Sequence, residues 1–293
     1  MADGVIRALL PSNLKVSIAV VTDTAREARA RHRLERVSAS LLAQGLAGGV
    51  LMASLQKGDG RVNLQLECDG PFRGFFVDAG AGGDCRGYAK NPGLDVELAE
   101  GPFHWRAALG NSGFLSVLRD LGTEYYRSSV ELTAMDVAQD LNRYFALSDQ
   151  VPTRVAIDVR RAGEEALGVV AGVLVQALPD AEANALEAQG EHLPARLTEA
   201  LNHEGTMSPR SLLSLLFPGV EAVAEYPVGF RCSCSRERAL KTIASLGKTE
   251  VQHIVDTLGS TAVTCHFCAT KHEVTLVDLL RLLDELGVDR PRS

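Results

Sequence analysis

Cys232-Ser233-Cys234 is followed, after thirty residues, by Cys265-His266-Phe267-Cys268, and no other stretch restricts the chain so strongly. Two close cysteine pairs in one short segment can bring four thiolates together, and tetrahedral sulfur ligation of that kind suits zinc. Sulfur ligands are soft, and a site with four of them is closed, which argues against hydrolytic zinc catalysis. The segment holding the pairs, residues 228–293, is of a size at which an apolar core alone is marginal. Structural zinc in small peptides contributes roughly 10–16 kcal/mol of apparent binding free energy. Loss of the metal is therefore expected to unfold this part of the chain. The first pair is C-x-C, not the C-x-x-C of ordinary zinc ribbons, which narrows the kind of module it belongs to.

The 293 residues suffice for more than one domain. A formal net charge of −7 offers no electrostatic footprint for nucleic acid. Four of the six cysteines lie in the motif, a metal or redox pattern rather than a secreted disulfide framework. The N-terminus carries Asp3, lacks a basic region, and has Arg7 inside its apolar run, so no signal peptide is expected. Residues 37–55 carry no formal charge and lie between Arg36 and Lys57, which invites a membrane reading. Ser38, Ser40, Gln44, Ser54, three glycines and many alanines point instead to a closely packed helix inside a soluble protein. A cytoplasmic location, with no membrane and no nucleic acid as partner, is the expectation.

Residues 15–21 are β-branched and read as a strand, and Asp23 or Thr24 is placed to cap a helix over 25–34. The small-residue helix ends near Gly58-Asp59-Gly60. Residues 61–67 alternate polar and apolar, and Asp69-Gly70-Pro71 turns the chain into a returning strand over 72–78. The glycine cluster in 79–84 fits neither G-x-G-x-x-G nor G-x-x-x-x-G-K-[ST] and reads as a loop, followed by irregular chain over 86–92. Further strands are expected over 113–118, 125–132, 154–159 and 167–177, with Gly163-Glu164-Glu165 in the last turn. An amphipathic helix is expected over 135–145. Residues 1–178 thus read as an α+β domain with a largely antiparallel sheet and packed helices.

The character changes at Pro179. Residues 179–227 hold eight acids and two bases, nearly the whole net charge of the chain. Helix formers over 181–189, 193–201 and 209–216 alternate with Gly190, Pro194, Gly205, Pro218 and Gly219, as in a metastable helical linker. Leu212, Leu213, Leu215, Leu216 and Phe217 are strongly apolar for a linker and must bury against one of its neighbours. In residues 228–293, Ser235 is placed to cap a helix ending before Gly247, and Thr249 a second ending before Gly259. Residues 261–265 and 272–275 can pair as a hairpin around the second cysteine pair, and a last helix runs over 276–286.

A static zinc module would explain the ligands alone. Two features point further. Closely spaced cysteines can bond to one another once the metal leaves, and Arg231, Arg236, Arg238 and Lys241 crowd the first pair, which favours thiolate. His253, His266 and His272 are near, but four cysteines complete the ligand set. Cys68 and Cys85 form no ligand-like pair and read as ordinary small residues. No Ser-His-Asp arrangement or nucleotide loop stands out, so no enzyme is expected.

Phe230-Arg231-Cys232-Ser233-Cys234-Ser235-Arg236-Glu237-Arg238 resembles the F-x-C-x-C-S-R-E-R pattern of the heat shock protein 33 family of redox-regulated chaperones. Val263-Thr264-Cys265-His266-Phe267-Cys268 matches that family's V-x-C-x-F-C. The likeness extends through Gln56-Lys57-Gly58-Asp59-Gly60-Arg61, Arg86-Gly87-Tyr88 with Asn91-Pro92, and the run from Tyr144 through Ser148-Asp149-Gln150-Val151-Pro152. Departures are His272 for an aromatic, Ala269 for an asparagine, and Tyr126-Arg127 for Gln-Gly. The resemblance implies one zinc ion held by Cys232, Cys234, Cys265 and Cys268 in a reduced, inactive form. It implies oxidation to disulfides pairing Cys232 with Cys234 and Cys265 with Cys268, with zinc release, loosening of the linker and homodimerisation. The active form would hold unfolding client proteins without ATP. The apolar linker residues Leu212, Leu213, Leu215, Leu216 and Phe217 would then be freed as a client-binding face. Two other readings remain open: a constitutive zinc-dependent interaction module, and a thiol–disulfide oxidoreductase using Cys265 and Cys268, which would want a thioredoxin-like βαβ context.

Overall fold

The computed structural model describes residues 3–97, 104–122, 124–162, 165–202 and 207–287. The chain divides into two compact units, Met1–Arg231 and Cys232–Ser293. The first opens with β1 (Gly4–Leu10) and β2 (Leu14–Val20), an antiparallel pair, then α1 (Thr22–His32) and α2 (Arg36–Ala53). Strands β3 (Arg61–Cys68), β4 (Gly74–Gly80) and β5 (Asp84–Ala89) form a meander. After the short α3 (Arg106–Leu109) come β6 (Gly113–Asp120), β7 (Tyr125–Glu131), α4 (Val137–Tyr144), β8 (Thr153–Ala162) and β9 (Glu165–Ala177). Helices α5 (Ala185–Gly190), α6 (Leu193–Ala200) and α7 (Pro209–Leu216) follow, then β10 (Ala222–Pro227) and β11 (Gly229–Phe230).

Two sheets result, of order β10-β1-β2-β9-β8 and β11-β5-β4-β3-β6-β7. All pairings are antiparallel except β11 with β5, so the fold is α+β with largely antiparallel sheets and packed helices. The charge-free run is α2, and every residue after Arg36 in it is buried. It packs against strands of both sheets in one large apolar cluster. Close approach explains its glycines: a Cβ on Gly45 would stand 2.8 Å from the Phe75 ring, and one on Gly49 would stand 2.7 Å from Val77. Burial of Leu41, Leu42, Leu46 and Leu51 contributes about 1.5–3 kcal/mol each, as an upper bound. Although α2 is long and apolar enough to cross a membrane, it is the core helix of this unit.

The opposite face of the first sheet carries a second apolar cluster. Ile6, Val16, Ile18, Val173 and Val175 meet Leu186, Leu193, Leu197, Leu212, Leu213, Leu216 and Phe217 there. The linker leucines thus bury against the body, and only Leu215 among them is exposed, at 42%. Helix α7 forms because Ser208 and Ser211 make a reciprocal capping box ahead of Pro209, and its apolar stripe faces the sheet.

Several local expectations are corrected. Helix α1 begins at Thr22, and its first amides are capped by neither Asp23 nor Thr24. The Asp3 carboxylate accepts from the Asp23 amide at 3.0 Å and the Thr24 amide at 2.6 Å, a cap from the residue just before β1. Of the residues read as irregular over 86–92, 86–89 are part of strand β5, with Arg86 and Tyr88 on its outer face while Cys85 and Ala89 face the core, and 90–92 are irregular as expected. Ala79 and Gly80 belong to β4, which leaves a loop only at 81–83. Glu165 begins β9, and Gly163 and Glu164 lie outside the described residues. Strands β1, β10 and β11 were not expected at all. Helix α5 starts at Ala185 because Asn184 adopts a left-handed φ of 62°.

Candidate metal centre

The second unit consists of α8 (Arg236–Ala244), α9 (Lys248–Leu258), the hairpin of β12 (Thr261–Thr264) with β13 (Lys271–Val274), and α10 (Leu276–Gly287). Ser235 caps α8, its side chain accepting from the Arg238 amide at 3.2 Å. Helix α9 starts at Lys248, one residue before the expected Thr249 cap, with Gly247 at its N-cap and Gly259 in left-handed conformation at its end. The core is small: Ile243, Val251, Val274, Leu279 and Leu282 form its buried cluster among the described residues.

Cys232 and Cys234 lie in the segment leading into α8, and Cys265 and Cys268 lie in the turn of the hairpin. The turn is closed by the Cys265 amide donating to Thr270 O at 2.9 Å and the Ala269 amide donating to Cys265 O at 2.8 Å. Ala269 sits at φ 56°, a left-handed position that suits asparagine better than alanine. All four Sγ atoms lie within 4.8 Å of one another. Across the pairs, Cys232 Sγ is 3.7 Å from Cys265 Sγ, and Cys234 Sγ is 3.3 Å from Cys268 Sγ. A tetrahedron of sulfurs about 2.3 Å from a central zinc has edges of about 3.8 Å, so the donor set fits such an ion. Of the histidines noted near the motif, His272 reaches it, with Nε2 3.3 Å from Cys234 Sγ. Thr270 escaped sequence reasoning: its hydroxyl is 3.3 Å from Cys268 Sγ, and its only sequence signal was its place two residues after Cys268.

The thiols differ in acidity. Burial, with the adjoining thiols of Cys268 and Cys232, pushes Cys234 well above the usual range. Burial also raises Cys265, against the Cys268 and Phe267 amides. At Cys268 burial opposes ionisation, but Thr270 and the thiols of Cys234 and Cys265 outweigh it and bring the group down to about 6. One thiolate among thiols is what clustered sulfur supports unaided, and a divalent cation is what allows four. Of the bases expected to crowd the first pair, Arg236 pairs with Asp278 and Lys241 with Glu237 at 2.7 Å, while Arg238 stays at the pair, its Nη1 donating to Ser233 Oγ at 3.0 Å. Arg231 lies in the first unit, its amide donating to Cys85 O at 3.0 Å.

Cys232, Cys234 and Cys265 are half-buried, within reach of a small oxidant, while Cys268 is buried. Cys85 is fully buried in β5 and its thiol is pushed far up by burial, and Cys68 is raised for the same reason. Cys265 and Cys268 occupy a hairpin turn rather than the start of a helix after a strand, which is not the placement an oxidoreductase pair needs.

Residues 3–275 match the family model described as Hsp33 protein. A 33 kDa chaperonin of a Cyanothece species is 37% identical over 303 aligned residues, covering 99% of each chain. A 33 kDa chaperonin of Bacillus cereus is 31% identical, covering 98% of this chain and all of that one. The crystal structure of the 33 kDa chaperonin (heat shock protein 33 homolog) of Thermotoga maritima superposes with a TM-score of 0.82 at 26% identity, over 97% of this chain and 99% of that one. With its fold, its four converging cysteines and its sequence matching over nearly the full length, this chain belongs to the Hsp33 family of chaperones.

Proposed function

We propose that the protein is a redox-switched, ATP-independent holdase of the cytoplasm, silent when reduced and active when oxidised. The observation that carries this reading is the convergence of Cys232, Cys234, Cys265 and Cys268 in a unit whose own apolar core is small. A zinc ion held there supplies the cross-link that the small core lacks and keeps the sulfurs as thiolates. Cys232 pairs with Cys234, and Cys265 with Cys268. Each pair gives up two electrons to a peroxide or to hypochlorous acid, an S–S bond forms, and the oxidant leaves as water or chloride. Sulfurs joined in this way no longer serve as anionic ligands, and residues 228–293 lose their main stabiliser.

The segment 179–227 is the element through which this loss is felt. It is strongly acidic, it interleaves short helices with Gly and Pro, and it holds to the body through the apolar faces of α5, α6 and α7 and the β10–β1 ladder. Its loosening uncovers Leu212, Leu213, Leu216 and Phe217 together with the sheet face beneath them, beside Leu215. Unfolding clients bind that apolar surface, the acidic flanks keep the complex in solution, and two oxidised copies associate.

The test compares light scattering of a thermally unfolding enzyme with reduced and with peroxide-treated protein, alongside zinc content and free-thiol count. Suppression should rise several-fold on oxidation as zinc is released and four thiols disappear. Equal suppression in both forms, or retained zinc with free motif thiols, overturns the reading.

A further inference from the structure

One short run of chain closes an edge of both sheets. Strand β10 is the outermost strand of the first sheet, antiparallel to β1 with Val5 opposite Tyr226, Ile6 opposite Glu225 and Arg7 opposite Ala224. Two residues after it, β11 is the outermost strand of the second sheet, parallel to β5 with Phe230 opposite Cys85. Between them the Val228 amide donates to Asp3 O at 3.1 Å and the Gly229 amide to Gly83 O at 3.0 Å. The run crosses the β4–β5 turn so closely that a Cβ on Gly83, itself at φ 87°, would stand 2.1 Å from Pro227 O. It ends one residue short of Cys232.

The hold of β10 on β1 is a main-chain ladder with one large side chain, Tyr226, half-buried against the main core. Its side chains at Val223, Glu225 and Pro227 are exposed, and Ala222 and Ala224 are small and only half-buried. The register shifts between Arg7 and Ala8, so the ladder is interrupted near its end. Glu225 pairs with Arg210 of α7 at its exposed surface, which ties the strand to the helix that carries the linker leucines. By contrast, β1 is anchored on its other side along its full length by β2, and Val5, Ile6, Ala8 and Leu10 are buried.

We propose that the β1 edge from which β10 withdraws is a strand-addition site for an extended segment of an unfolding client. The proposal rests on the switch described under the proposed function, and it names how that switch's client is held. When residues 222–230 leave with the loosened linker, β1 presents a row of amides and carbonyls with no partner. The buried strand behind them stays in place. An incoming extended chain restores the ladder with its own backbone, and the seat left by Ala222, Ala224 and Tyr226 takes small side chains and one aromatic at alternate positions. Client and β10 compete for one ladder, so the protein's own strand is the reversible plug. Refolding of residues 222–230 onto β1 on reduction would expel the client without ATP.

Amide hydrogen exchange of the full chain, followed by mass spectrometry, reads this edge directly. Alternate amides of a strand point to one neighbour, so roughly half the amides of residues 3–10 face β10. Those amides should be slow in the reduced protein, at least tenfold faster after oxidation, and slow again with reduced, carboxymethylated α-lactalbumin bound. A fluorescent peptide copying residues 221–231 should bind the oxidised form and displace that client. The same peptide N-methylated at alternate residues should bind at least tenfold more weakly. Amides of residues 3–10 that stay slow on oxidation, or stay fast in the client complex, overturn the proposal, as does equal binding of the methylated peptide. Light scattering on the same preparation separates the two readings: oxidised protein that protects an enzyme while its β1 amides stay slow retains the switch and loses the strand-addition site.

Discussion

At the scale of single residues, two positions show how backbone geometry and burial set local cost. Ala269 occupies a left-handed position directly after Cys268 in the hairpin turn, at φ 56°. An L-residue with a Cβ gives up about 1–2 kcal/mol there, and asparagine, whose side chain bonds locally, gives up less. Ala269→Asn should therefore raise the stability of the cysteine unit by about 0.5–1 kcal/mol, read as slower zinc loss to a chelator under reducing conditions. A rate equal to that of the parent would show that the turn bears no strain. Asp3 shows the second kind of cost. Burial raises its pKa, against hydrogen bonds from Thr24 and Asp23. With the folded value above the unfolded one, the native state holds the proton more tightly. This contribution to stability is full below the unfolded value, about 3.9, and is lost as pH rises through the folded one. Asp3→Asn removes it, so urea midpoints of parent and variant should diverge in the parent's favour as pH falls. Parallel pH profiles would show that Asp3 does not titrate as its burial implies.

Among the elements, α7 is the one on which the cover of the first sheet turns. Its capping box and proline fix where it starts, but its place depends on Leu212, Leu213 and Leu216 reaching the sheet. Leu212 is fully buried, so Leu212→Ala should cost about 2–5 kcal/mol of local packing. That loss falls at the centre of the cover, between the α5 and α6 leucines and the β10–β1 ladder, and the reduced variant should suppress aggregation several-fold better than the reduced parent, measured by light scattering. Leu215→Ala, at a position 42% exposed, should cost no more than about 0.5 kcal/mol and leave the reduced protein silent. If both variants behave as the parent when reduced, α7 is not what restrains the molecule.

On the scale of the whole molecule, two units of unequal self-sufficiency share one chain. The first has two large apolar clusters around α2 and the first sheet, and the second has one cluster of five buried residues, among those described, and four cysteines. A chelator with a thiol reductant should abolish the calorimetric transition of residues 232–293 while the main transition of the first unit persists. A second unit that melts unchanged without metal would show that its small core suffices.

Much of the cysteine unit was legible because its chemistry is carried by residue type and short spacing. Four soft ligands in two close pairs imply a shared ion wherever the chain brings them, and Ser235 and Gly259 mark helix ends by local rules alone. The burial of α2 was legible for the same reason, since a charge-free run of small residues has few other places to go. What only the tertiary structure decided was which strands meet. Residues 4–10 and 222–230 carry no strong strand pattern, and they become strands because edges of β2 and β5 stand ready to pair with them or their neighbours. The cap of α1 came from Asp3, about twenty positions away, where no local rule would look. Ligand chemistry is written in the identity of a side chain. The closure of a sheet edge depends on which distant backbone arrives beside it, and every backbone carries the same hydrogen-bonding groups.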